Sequence, residues 1–216
     1  MNSQHRIFPY KLDIKSLIFY LCTAAIFIFS LTLWFLGAAD QSKLTDLLRD
    51  SGSVIAPITI FWVLLEKHLW RTSLPQRFNK LLNIPPDFRG RWEGNLFSSL
   101  APDQPRMFVI EVEQTLTSLK INSYSDFGNS RSILAEVASD EDEELFSLCF
   151  LWQGEIENTS GQGNLINRFN GYTILNWDKN GDHDLLEGNY FTNLHPRQTL
   201  GSISLRRTGL SLKKKL

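Results

Sequence analysis

Two long apolar runs within residues 1–71, followed by short alternating segments broken by turn signals, predict a mixed fold: an N-terminal two-helix transmembrane hairpin plus an all-β domain. The β part reads as an eight-stranded antiparallel up-and-down β-barrel of lipocalin-like form. The expected divisions are 1–71 for the hairpin, 72–86 for a linker, 87–208 for a ligand-sensing barrel and 209–216 for a basic tail.

The first run, Ser16 to Ala39, carries no charge. At 1.5 Å per residue a helix of about 24 residues crosses a hydrocarbon core of about 30 Å. Tyr20 and Trp34 fall where amphipathic rings reach the interfaces. A cleaved signal peptide is the rival reading, since Leu36-Gly37-Ala38-Ala39 supplies small residues at the right end, but its apolar region would normally span only about 7–15 residues. The second run, Ser51 to Leu65, is short. Extended past Glu66, Lys67 and His68 to Leu69 and Trp70, it reaches a workable length if the charged side chains snorkel, with Pro57 near its start; an interfacial helix is the alternative. Between the runs, Leu44, Leu47 and Leu48 share a helical face in a short polar link.

Lysine and arginine near the spans set the expected orientation. Arg6, Lys11 and Lys15 precede the first run and Lys67, Arg71, Arg77 and Lys80 follow the second, against Lys43 and Arg49 between them, so both termini are expected in the cytoplasm. Two cysteines, Cys22 in a span and Cys149 in a strand, form no disulfide framework. The net charge of −1 hides a basic end, Lys213-Lys214-Lys215 after Arg206 and Arg207, which either touches anionic lipid or frays into solvent.

Pro75, Pro85 and Pro86 limit helix in the linker, leaving Gln76 to Leu82 for a couple of turns. The period then changes from helical to two. Candidate strands are Arg89–Ser98, Met107–Gln114, Ser118–Tyr124, Ser130–Ser139, Glu144–Gln153, Asn170–Trp177, Leu186–Asn193 and Gly201–Arg206. Phe108, Ile110 and Val112, Leu119 and Ile121, and Ile203 and Leu205 mark one apolar face. Such strands form an open meander, a sandwich or a closed barrel; closure removes the edges and leaves room for side chains or one small ligand. Gly90-Arg91-Trp92-x-Gly94 resembles the start of lipocalin-like barrels, where a glycine permits close backbone approach and a tryptophan plugs one end.

No catalytic constellation stands out. Asp178-Lys179-Asn180-Gly181-Asp182-His183-Asp184 has its glycine fourth rather than sixth and Asn189 at position twelve, so it reads as a hairpin turn rather than a calcium loop. The acidic run Asp140 to Glu144 reads as a solvated loop. The four histidines are dispersed without zinc spacing, and neither a G-x-S-x-G elbow nor a phosphate loop appears. The protein is therefore expected to bind rather than catalyse, without metal or cofactor.

Gly188, Tyr190 and Thr192 share one face of their strand, and Ser123 and Ser125 continue the face of Leu119 and Ile121. Hydroxyls, an aromatic plane and close glycine backbone suit a planar base with phosphate, although tyrosine and tryptophan are also ordinary barrel filling.

The order of these features resembles a known family. Two N-terminal membrane segments, Asn83-Ile84-Pro85-Pro86, Gly90-Arg91-Trp92-Glu93-Gly94, Gln114 with Leu119-Lys120-Ile121, Ser123-Tyr124-Ser125, Gly188-Asn189-Tyr190-Phe191-Thr192 and Gly201-Ser202-Ile203-Ser204-Leu205-Arg206 are similar to the bacterial CBASS two-transmembrane β-barrel effectors, the SMODS-associating two-TM β-strand-rich effectors of anti-phage signalling. That resemblance implies a barrel that binds a cyclic dinucleotide made by a CD-NTase, self-association into a homo-oligomer, and disruption of the bacterial inner membrane in abortive infection. The lipid bilayer is then a partner, and no DNA or RNA polymer is expected. The short second run with Glu66-Lys67-His68 departs from the pattern and bears on where that segment sits in the membrane.

A cyclic dinucleotide needs aromatic planes for its bases and cations or N–H donors for its phosphates. From this chain's own residues, Tyr190, Thr192 and Arg206 are the first candidates, followed by Trp92, Ser123 and Arg197; Tyr172 is a further plane, and Arg91 and Lys120 are further cations. The alternatives are a membrane-tethered lipocalin-like protein for a small apolar ligand, and a structural adaptor with a filled barrel.

Overall fold

The computed structural model describes residues 52–72, 85–126, 128–140, 145–156, 167–178, 181–182, 184–193 and 198–216, with Thr23, Ile26, Phe27, Ser30, Leu31 and Trp34. Those six are helical with exposed side chains, one i, i+3, i+4 stripe of the first apolar run. The rest of that run, the 41–50 link and the Gln76–Leu82 segment lie outside the described residues.

Helix α1 spans Gly52–Lys67. Its 16 residues rise about 24 Å, and no helix among the described residues is long and apolar enough to cross a membrane. The expected continuation to Trp70 is not α-helical: a separate 3₁₀ turn, Leu69–Arg71, follows. The Arg71 guanidinium donates to the His68 carbonyl at 3.2 Å and lies 2.7 Å from His68 Nδ1, and the Thr72 N–H bonds the Leu69 carbonyl at 3.0 Å. These contacts tighten the chain into a stop where the α-helix would leave carbonyls unpaired.

The residues from Pro86 onward belong to one compact unit. Its strands are β1 (Gly90–Ser98), β2 (Ala101–Gln114), β3 (Leu119–Ser125), β4 (Gly128–Asp140), β5 (Leu145–Ile156), β6 (Asn167–Asp178), β7 (Leu185–Thr192) and β8 (Leu200–Gly209). All eight expected strands are present, paired in sequence order and closed by β1 against β8 into an antiparallel barrel. The ends differ most where pairing overrides local propensity. β2 starts at Ala101 despite Pro102 and Pro105, because the tight β1–β2 connection pairs Ser98 with Ala101. β8 runs on to Gly209, which faces Arg91.

Alternation sorts the side chains as expected. Ile110, Val112, Ile121, Leu148, Phe150, Leu175, Leu186, Ile203 and Leu205 are buried. They fill the lumen from its middle to the end where the chain enters. That end is plugged by Phe88 and Trp92: the Trp92 indole N–H donates to the Phe88 carbonyl at 2.9 Å, and Phe88 meets Trp177 edge-on at 5.4 Å. The Gln114 amide accepts from the Phe88 N–H at 2.8 Å and donates to the Pro86 carbonyl at 2.9 Å, fixing the entering strand. Arg207 lies 4.5 Å over the Trp92 ring and donates to the Asp87 carbonyl at 2.6 Å.

The last residues are a strap rather than a frayed tail. Glu111 points out of β2 yet is fully buried, because the N–H groups of Lys213 and Lys214 bond its carboxylate at 2.7 and 3.1 Å. Arg91 bridges Glu111 at 2.9 Å and donates to the Lys215 carbonyl at 2.6 Å. Lys214 takes a left-handed φ of 57°, which turns the two N–H groups onto one acceptor. The lysine side chains remain exposed.

Candidate ligand-binding pocket

The lumen opens at the end opposite Trp92. There a cavity of about 350 Å³ is lined by Leu96, Ser98, Leu100, Ala101, Arg106, Phe108, Ser123, Ser125, Gly128, Asn129, Ser130, Trp152, Gly154, Glu155, Phe169, Thr173, Tyr190, Thr192, Thr199 and Ile203. This volume falls within the usual range of small-molecule sites, about 300–1,000 Å³.

The cavity exists because its largest aromatic rings lie against the wall instead of across the lumen. Trp152 on β5 is opposite Gly171 on β6, and Tyr190 on β7 is opposite Gly201 on β8. A Cβ on Gly171 would stand 2.2 Å from Trp152 Cζ2, and one on Gly201 would stand 1.8 Å from the Phe97 carbonyl oxygen of β1 and 2.8 Å from Tyr190 Cε1. The Trp152 ring thus occupies the space that a side chain at Gly171 would take, while at Gly201 the Phe97 carbonyl already closes that space and the Tyr190 ring lies beside it. The Trp152 indole N–H donates to Thr173 Oγ1 at 2.9 Å, and Phe169 packs edge-on at 5.5 Å, which fix the ring's position.

Hydroxyls line the same wall in cross-strand pairs. Ser123 Oγ bonds Ser130 Oγ, and Thr192 Oγ1 lies 2.8 Å from Thr199 Oγ1 while accepting from the Thr199 N–H at 3.1 Å. Ser125 Oγ donates to the Gly128 carbonyl at 3.1 Å. A hydroxyl offers one donor and two acceptor sites, so each pair retains capacity toward the lumen. Arg106 supplies a guanidinium on the lining, and Glu155 a carboxylate that is engaged with Arg168 at 3.0 Å.

Of the candidates read from sequence, the structure brings together Tyr190, Thr192 and Ser123 on this lining. Trp92 is inside the barrel but forms the plug at the other end, fully buried. Arg206 points outward, 3.2 Å from Asp182, because its neighbours Leu205 and Arg207 take the inward positions of β8. Arg197 lies outside the described residues. Tyr172 is on the outer wall beside Cys149, where burial and then that thiol push its hydroxyl up to about 12. Arg91 is committed to Glu111 beneath the strap, and Lys120 is exposed on the outer face of β3.

Sequence reading missed Arg106, Trp152, Phe169, Thr173 and Thr199. Trp152 shares the period-two face of Leu148 and Phe150, a usable signal; Arg106 was hidden because Pro105 argues against a strand there.

Comparison with known proteins adds one match. The family model described as Cap15, cyclic dinucleotide receptor domain, matches residues 83–207, which spans the barrel from the linker to β8. No curated protein matches the chain.

Proposed function

The chain belongs to the Cap15 cyclic dinucleotide receptor domain family, a family of CBASS effectors, and from that premise we propose that the open-ended pocket takes the nucleotide and converts its arrival into membrane damage. The observation that carries this reading is the pair of wall-laid rings, Trp152 and Tyr190, flanking an open lumen with hydroxyls between them. The rings present faces for two bases. Ser123, Ser130, Thr192 and Thr199 offer donors to sugar and phosphate oxygens, and Arg106 offers charge-assisted bonds to phosphate. The role of this domain is binding, with the nucleotide as activating ligand rather than cofactor.

Downstream, the proposal has three parts. The apolar segments before the barrel form a hairpin in the bacterial inner membrane with both termini cytoplasmic; the charge-free Ser16–Ala39 run and the lysine and arginine bias support this. Nucleotide occupancy drives homo-oligomerisation, which confinement to a bilayer makes easier by raising the effective concentration. Clustered hairpins then breach the membrane, ending phage replication with the host.

Leu96, Leu100, Phe108 and Ile203 on the lining also favour a second reading, a tethered carrier for an apolar molecule. One experiment separates the two. The full chain in phosphatidylethanolamine/phosphatidylglycerol vesicles is titrated with cyclic di-AMP, cyclic GMP–AMP, cyclic di-GMP, cyclic UMP–AMP and cyclic di-UMP, following thermal unfolding and dye release. Stabilisation and leakage with one nucleotide support the receptor-effector reading. Stabilisation by a fluorescent fatty acid alone, with intact vesicles throughout, supports the carrier.

A further inference from the structure

On the outside of the wall that forms the pocket, apolar side chains line up in register across five strands. Leu134 is opposite Leu151, Leu151 opposite Tyr172, Tyr172 opposite Phe191, and Phe191 opposite Leu200. The bulge in β4 adds Ile133, pushed out beside Leu134, and Ile174 adjoins the row. Leu134 is 65% exposed, Leu200 60% and Phe191 48%. A scattered surface leucine is ordinary; a contiguous row of exposed apolar side chains across five strands marks an interaction surface.

We infer that this belt is the surface on which one copy of the chain docks on a second copy. The inference rests on the proposal that nucleotide occupancy gathers the chains, and adds where they touch.

Closure of the barrel forces the choice of a side-chain surface. With β1 paired to β8 the barrel has no free edge to accept another strand, so association between barrels rests on side-chain surfaces. The belt's seven residues also fall short of the roughly 20–30 per side of a standard stable interface. That size fits a contact that fails between dilute copies and succeeds between tethered ones. The rim argues against lipid as the occupant: the outward residues around the belt include Glu136 and Glu187 with Arg131 and Arg168. An anionic bilayer favours a uniformly basic rim, whereas mixed signs suit another copy of the same surface.

The belt is also placed to sense the pocket. Leu151 precedes Trp152, Tyr172 precedes Thr173, Phe191 sits between Tyr190 and Thr192, and Leu200 follows Thr199. A strand wall is one residue thick, so a ligand that moves these lining residues moves the backbone carrying the belt.

The test uses the full chain in phosphatidylethanolamine/phosphatidylglycerol vesicles with the same nucleotide panel. A triple variant, Leu134→Thr, Phe191→Thr and Leu200→Thr, removes apolar area while keeping β-branched residues in the strands. It is expected to bind the active nucleotide within twofold of wild type, while nucleotide-dependent amine crosslinking between copies falls at least tenfold. A second variant, Leu134→Cys, is expected to gain bismaleimide dimers only with that nucleotide present. Undiminished assembly of the triple variant, with no dimers from Leu134→Cys, overturns the belt and leaves the effector reading standing. A wild-type chain that binds nucleotide yet never assembles overturns both.

Discussion

Replacing Gly171 by alanine puts a methyl group where the Trp152 ring lies. The added Cβ would stand 2.2, 2.5 and 2.7 Å from Cζ2, Cε2 and Cη2 of that ring, with no backbone atom among its three nearest neighbours. Carbon–carbon contact is comfortable from about 3.5 Å, so the ring has to retreat by more than 1 Å, roughly, from the strand behind it. That retreat breaks the 2.9 Å bond from the indole N–H to Thr173 Oγ1, worth about 1 kcal/mol, and swings the ring into the lumen. The small-to-large change itself costs about 1–3 kcal/mol of stability. Loss of one base-stacking face costs about 1–3 kcal/mol of binding, which at 1.4 kcal/mol per decade is about 5- to 150-fold in affinity. Calorimetric titration of the variant with the active cyclic dinucleotide is therefore expected to give a Kd raised about 10- to 100-fold, and near-UV circular dichroism is expected to report the displaced indole. The combination with Trp152→Phe relieves the clash, and is expected to recover thermal stability without recovering full affinity. An unchanged Kd alongside a changed near-UV signal would refute the argument, because the ring would have moved without the ligand registering it.

Arg106→Ala is expected to weaken nucleotide affinity about tenfold and flatten its salt dependence, whereas Arg206→Ala, on the outer wall beside Asp182, is expected to leave affinity within twofold; both are read by the same titration. Glu111→Gln keeps the shape and removes the charge shared by Arg91 and the strap, at an expected cost of about 3 kcal/mol in chemical denaturation. The pH dependence has a definite sign. Burial acts to raise the Glu111 carboxyl, but the Lys213 N–H, Arg91 and the Lys214 N–H outweigh it and hold the carboxyl below its ordinary value. Its contribution is then complete above the unfolded-state value of about 4.3 and is lost as pH falls through the lower folded value, so acid denaturation of Glu111→Gln is expected to show a shallower limb than wild type. Deleting residues 211–216 is expected to expose the Arg91–Glu111 pair and lower the melting temperature by several degrees, measured by calorimetry.

Alternation made much of the barrel legible. Phe108-Val109-Ile110-Glu111-Val112 and Ile203-Ser204-Leu205 state which side chains face inward, because successive residues on a strand point to opposite faces whatever the strand pairs with. The same rule placed Tyr190, Thr192 and Ser123 on the lumen. It also excluded Arg206, which stands next to Leu205, and pointed instead to Arg207 as the inward cation. Choosing Arg206 for a site followed the sign of its charge and overrode its parity.

Pairing decided the rest. That Trp152 lies on Gly171 and Tyr190 on Gly201, so that the rings line the cavity instead of filling it, depends on register between strands, and register has no signal within either strand alone. The burial of Glu111 depends on a segment about a hundred positions later folding back over it, which no local pattern in β2 announces. The sequence alone thus determined the strands, their faces and the apolar runs before them, since propensity and periodicity act over neighbouring residues. The open pocket, its wall-laid rings, the outer belt and the strap were decided by tertiary structure, since each arises from side chains on strands that meet only when the barrel closes.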